Sequence, residues 1–73
     1  MQGGYHATIS KKYNISYLDI YKQKNSTFST EKPIGKVYQH EIFLVTDTQN
    51  SKKLIVTRRG EVGWVSEEWI QQV

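Results

Sequence analysis

Between Lys53 and Ser66 the sequence reads KLIVTRRGEVGWVS, two runs of β-branched and aromatic residues facing each other across Arg59-Gly60. Such side chains suit the pleated surface of a strand, and glycine supplies the positive φ that a tight hairpin turn demands. This hairpin constrains the whole chain, because the other 73-residue options are missing. There is no heptad, no internal repeat and no helix-length apolar stripe. Cysteine is absent, so neither disulfides nor thiolate metal sites supplement the core. A chain this short buries only about 60% of the surface its unfolded form exposes. Its stability must come from aromatic and branched side chains packed in sheets, or from a partner. A single all-β domain is expected.

The remaining segments fit that expectation in turn. SYLDIYK alternates, with Leu18 and Ile20 on one face and Tyr17, Asp19 and Tyr21 on the other. Residues 22–32 are nearly devoid of apolar side chains except Phe28, which reads as the anchor of a long polar loop. IGKVY after Pro33 forms a second strand. HEIFLVTD forms the strongest one and runs into the turn-rich DTQNSKK. SEEW has the composition of a short 3₁₀ turn, and IQQV closes the chain as a last strand. Residues 1–14 read either as a weakly ordered lead-in or as a short strand through Tyr5, Ala7 and Ile9, leaving 15–73 as the domain proper. The core expected from these patterns is Leu18, Ile20, Ile42, Leu44, Val56 and Val65. Phe43 and Val45 lie on the opposite face from Ile42 and Leu44, so that strand has two apolar faces. Both would be covered, by the N-terminal segment or by another copy of the chain.

Val56, Gly60, Gly63, Trp64, Val65 and Ile70 stand in the spacing V-x-x-x-G-x-x-G-W-V-x-x-x-x-I. That spacing resembles the closing hairpin, 3₁₀ turn and last strand of bacterial SH3-like (SH3b) domains. Upstream, Leu18-Asp19-Ile20-Tyr21 resembles the family's "lNVR" strand, Ile34-Gly35-Lys36-Val37 its "vIGtv" element, and Ile42 with Leu44 its "kVeV" strand. The likeness spans about residues 15–71 with every element in order. It departs at Lys22-Gln23-Lys24, where the family often has Ser-Gly-Pro, and at Lys53-Leu54, where it often has Gly-Trp. The resemblance implies a small SH3-like five-stranded barrel, with a short 3₁₀ turn before the last strand. It also implies a ligand groove bounded by the first long loop, the loop near DTQNSKK and the 3₁₀ turn. Tyr17, Tyr21, Phe28 and Trp69 would meet there, and tyrosines suit extended peptides because they give flat contact area with a hydroxyl handle. The competing reading buries Tyr17 and Tyr21 beneath the polar loop and uses Trp64 and Trp69 chiefly for packing.

Catalysis finds little in this sequence. His6 and His40 are the only imidazoles, and neither has a nucleophile motif around it. His40 and Glu41 would point to opposite faces of a strand, which gives no metal site. No glycine-rich phosphate loop opens a helix, so no enzyme activity, cofactor or metal is expected. Net charge is +3, with six Lys against Asp19 and Glu31 in residues 1–40 and a slightly acidic remainder. Lys52, Lys53, Arg58 and Arg59 form a candidate basic patch beside Trp64, and basic residues near stacking aromatics are what single-strand binding requires. Glu61, Glu67 and Glu68 oppose it. The expected function is therefore a non-enzymatic module for a peptide-like ligand, from a protein partner or a cell-wall peptide. Nucleic-acid binding is the alternative and self-association a third. The first residues lack the apolar core of a signal peptide, and Ile42–Val45, the longest apolar run, is far below the ~20 residues of a membrane helix. A cytoplasmic protein with no membrane partner is expected. The size and the Lys-rich, Cys-free composition suit a phage or mobile-element product.

Overall fold

A computed structural model of the chain describes residues 4–22 and 32–73. Among these residues seven strands and one 3₁₀ turn appear, in the order β1 (Tyr5–Ile9), β2 (Tyr17–Ile20), β3 (Gly35–Tyr38), β4 (Phe43–Gln49), β5 (Lys52–Val56), β6 (Val62–Ser66), the 3₁₀ turn (Glu67–Trp69) and β7 (Ile70–Gln72). Five strands form one antiparallel sheet in the order β6-β5-β4-β1-β7, and β2 and β3 form a separate hairpin. The fold is all-β with a five-stranded sheet, as the sequence leads one to expect. The ladder does not close on itself, since β6 and β7 lie at opposite ends of the strand order. None of the described helices is long and apolar enough to cross a membrane.

Among the described residues, one backbone bridge ties the hairpin to the sheet. Tyr21, just beyond β2, exchanges two backbone hydrogen bonds with Trp64 of β6, at 3.1 and 2.7 Å. Directly beneath, Gly63 is buried, and a Cβ there would collide with Ile20 Cγ2 and lie 2.7 Å from the Tyr21 carbonyl oxygen. The glycine is thus required for a close approach of two backbones. Gly60 serves the other purpose. With φ at 88° it closes the β5–β6 turn, where Gly60 N–H donates to Thr57 O and Thr57 N–H to Glu61 O, both at 2.9 Å.

Side-chain parity corrects the expected core. Ile20 and Val65 are buried, and Leu18 packs half-buried against them. The buried residues of β4 and β5, however, are Phe43, Val45 and Ile55, while Ile42 is 44% exposed and Leu44 and Val56 are only half-buried. The cause is β1. It pairs with β4 in the register Tyr5↔Val45 and Ala7↔Phe43, so Tyr5, Ala7 and Ile9 share one face with Phe43 and Val45. Ala7 and Ile9 are buried with them, so the segment set apart above as a lead-in supplies a strand between β4 and β7. DTQNSKK is also less of a loop than its composition implies. β4 continues to Gln49, paired with Lys52, and only Asn50-Ser51 turns, with Asn50 at φ 57°. A bulge between Val45 and Asp47 absorbs one residue and bends the strand.

Candidate functional site

Burial of Val37 and Leu18 on the inner side of the β2–β3 hairpin sends their neighbours outward. The register pairs Tyr17 with Tyr38 and Asp19 with Lys36, so four outer residues meet as two cross-strand pairs. The tyrosine rings lie 6.4 Å apart between centroids and are tilted by 58°. Lys36 Nζ sits 4.5 Å from the Tyr17 ring centroid and 2.8 Å from Asp19 Oδ1. The Asp19 bond holds the Lys36 ammonium above its ordinary pKa, against the opposing effect of desolvation. Tyr17 and Tyr38 remain 48% and 49% exposed.

A second cation arrives from the sheet. The Gly60 turn carries Arg59 to the hairpin, where its guanidinium lies 5.7 Å from the Tyr38 ring centroid. Arg59 grips Glu41 through both oxygens, at 2.6 and 3.2 Å, and donates to the Lys36 carbonyl. Glu41 Oε1 in turn accepts the Tyr38 backbone N–H at 2.7 Å. Those bonds, the one from Arg59 foremost, hold the Glu41 carboxyl below the usual carboxylate range. Because the folded-state pKa is lowered, the pair stabilises fully above that range and its contribution is lost as pH falls through the lowered value. A melting series from about pH 5 to about pH 3 checks this: the wild-type Tm is expected to fall more steeply than that of Glu41→Gln.

The groove expected from sequence is distributed over several places. Tyr17 is on the exposed hairpin face, whereas Tyr21 is half-buried at the β6 bridge. Trp69 is half-buried and its ring lies 4.8 Å from that of Tyr13, with Lys12 Nζ 5.7 Å from the Tyr13 centroid. Phe28 lies outside the described residues. The candidate basic patch also separates. Lys52 and Lys53 open β5 and Arg58 and Arg59 follow its end, so roughly 15 Å of strand lies between the pairs. Arg59 faces Glu41 and Glu61, and Lys53 Nζ lies 3.8 Å from Glu67 Oε1. On the outer sheet face, Ile42, Leu44, Val56, His6 and Arg58 help to line a shallow depression of about 210 Å³. Among the described residues no three His, Cys, Asp or Glu side chains gather as a metal site.

Sequence reasoning missed Tyr38, Lys36 and Glu41. The signal was present in GKVY: with Val37 inward, Lys36 and Tyr38 must point out, and pairing against YLDI brings them to Tyr17 and Asp19. No protein-family model matches the chain, and no curated protein matches it either. What the site does must therefore be argued from its own chemistry.

Proposed function

We propose that the chain is a small SH3-like, non-enzymatic binding module that takes a peptide-like ligand on the outer face of the β2–β3 hairpin. In support of the SH3-like reading, the hairpin around Gly60, the 3₁₀ turn and the last strand follow one another as the resemblance implies. The observation that carries the binding reading is the paired, exposed state of Tyr17 and Tyr38. Two rings fixed by cross-strand pairing offer flat apolar area with little ordering left to do on binding. Lys36 and Arg59 beside them favour a ligand that carries carboxylates. A protein segment and a cell-wall peptide both have that character, and a phage or mobile-element protein gripping a host factor would use such a face. Nucleic acid fits less well, because β5 separates Lys52 and Lys53 from Arg58 and Arg59, so the basic residues do not form one patch.

The double variant Tyr17→Ala/Tyr38→Ala tests the reading. Both side chains are half exposed, so the variant is expected to keep the wild-type circular dichroism spectrum. Peptides captured by the wild-type chain from a random display library are expected to bind it at least about 30-fold more weakly, as loss of an aromatic hot spot implies. Unchanged affinity for every captured peptide would remove this surface from consideration.

A further inference from the structure

The proposed function leaves open how a peptide would lie on the hairpin. In an antiparallel pair, alternate residues direct their backbone N–H and C=O to the partner strand and to the open side. Gln39 N–H donates to Ser16 O at 2.8 Å, so Val37 and Gln39 face the β2 side. Lys36 and Tyr38 therefore direct theirs away from β2. No third strand lies there in the described sheet order. The Tyr38 carbonyl accepts the Glu41 N–H of the β3–β4 turn at 3.0 Å, and an edge without a neighbouring strand is a template for another extended chain.

Two side chains stand where that chain would run. Arg59 donates to the Lys36 carbonyl, and Glu41 accepts the Tyr38 N–H at 2.7 Å. Donor and acceptor are joined to each other by the two Arg59–Glu41 bonds. Together they reproduce what an added strand would offer: an N–H for one residue and a C=O for the next but one. Neither belongs to a strand, since Glu41 precedes β4 and Arg59 sits in the β5–β6 turn. Their side chains are 24% and 43% exposed, so rotation into solvent is open to both.

We infer that the open edge of β3 binds an extended, carboxylate-bearing peptide as an added strand, and that the Arg59–Glu41 pair fills this place when no peptide is bound. The peptide's backbone N–H and C=O take over at Lys36 O and Tyr38 N–H. Its carboxylate replaces Glu41 at the Arg59 fork, where two parallel N–H···O bonds form. The alternation of a strand then lays every second side chain on the Tyr17–Tyr38 face. This rests on the peptide-binding reading above and adds a docking mode to it.

The experiment takes heptapeptides enriched from a random display library on the wild-type chain, synthesises them, and N-methylates each backbone position in turn. N-methylation removes one donor at a time. The expected result is a loss of at least tenfold at alternate positions and little change at those between. Replacing the peptide's acidic residue by its amide is expected to cost about as much. Glu41→Gln, which weakens the internal competitor, is expected to bind several-fold tighter. Amide exchange at Lys36 is expected to slow in the complex. Tolerance of N-methylation at every position, or Lys36 and Tyr38 amide resonances unmoved at saturation, overturns the inference. If those results come with binding that still depends on Tyr17 and Tyr38, the face binds peptides in another way. Failure to enrich any peptide removes both readings. Lys36 and Tyr38 resonances that shift with protein concentration alone would assign the edge to a second copy of the chain, and that also overturns it.

Discussion

Phe43→Ala is expected to cost about 3–5 kcal/mol, the range for removing a large aromatic side chain from a packed core. Phe43 is the largest fully buried side chain among the described residues, 2% exposed, and shares one hydrophobic cluster with Ala7, Val45, Ile55 and the hairpin residues Ile20 and Val37. Domains carry roughly 0.05–0.15 kcal/mol of stability per residue, so the loss takes a large share of what 73 residues supply. For a domain of this size it should lower Tm by more than about 12 °C. The neighbouring substitution provides the contrast. Ile42→Ala, at a site 44% exposed, is expected to cost under about 1 kcal/mol. Thermal melts of the two variants side by side decide which face of β4 is inside. Equal losses, or a larger one for Ile42→Ala, would reverse the assignment.

The second large effect is expected from a single methyl group. Gly63 does not have a positive φ, so what it supplies is space. An added Cβ would meet Ile20 Cγ2 and the Tyr21 carbonyl, and that carbonyl already accepts the Trp64 N–H. The clash is with backbone and a fully buried side chain, neither of which can swing aside. Gly63→Ala should cost about 3 kcal/mol, the upper end for overpacking. The damage is also directed. β2 has to move away from β6, and the bridge that fixes the hairpin to the sheet goes with it. In any fraction that still folds, peptide binding at Tyr17 and Tyr38 is expected to weaken as well. Denaturant melts and binding to the captured peptides read the two consequences separately. Wild-type stability would mean that β2 and β6 are not in contact at Gly63.

These two residues mark where the sequence spoke clearly and where it did not. Gly63 before Trp64 reads as a kink or a close backbone approach, of which the structure has the second, and the tight turn at Arg59-Gly60 is legible from the φ that glycine allows. The 3₁₀ turn and last strand follow from SEEW and IQQV. Those features are local, fixed by backbone sterics within a few residues. Phe43 was a different matter. HEIFLVTD is apolar on both faces, so alternation alone cannot say whether Ile42 and Leu44 or Phe43 and Val45 point inward. The choice is made by β1, whose Tyr5, Ala7 and Ile9 share a face with Phe43 and Val45 through the pairing register. β1 is short and follows the polar, glycine-rich start of the chain, and its place between β4 and β7 comes from tertiary pairing. DTQNSKK misled for the same reason, since a polar composition does not forbid pairing when the opposite strand supplies it.

At the candidate site the same division holds. Tyr17 was legible as an outward tyrosine because its neighbours Leu18 and Ile20 are obvious core residues. Its partner Tyr38 required knowing that GKVY pairs with YLDI, a contact between segments separated by the long polar loop. The Arg59–Glu41 pair needed three elements at once: the Gly60 turn, the β3–β4 turn and the open side of β3. The expected basic patch separates on geometry that a strand dictates, because β5 runs between Lys52-Lys53 at its start and Arg58-Arg59 beyond its end.

The placement of the hairpin depends on a sheet in which β1 is an interior strand, since its register decides which side of β4 receives Ile20 and Val37. Backbone amide hydrogen exchange measured by NMR tests that most directly. The amides of Tyr5–Ile9 are expected to exchange as slowly as those of Leu44 and Ile55, and far more slowly than those of Arg58 and Gly60. Exchange of the Tyr5–Ile9 amides at the rate of that turn would contradict it.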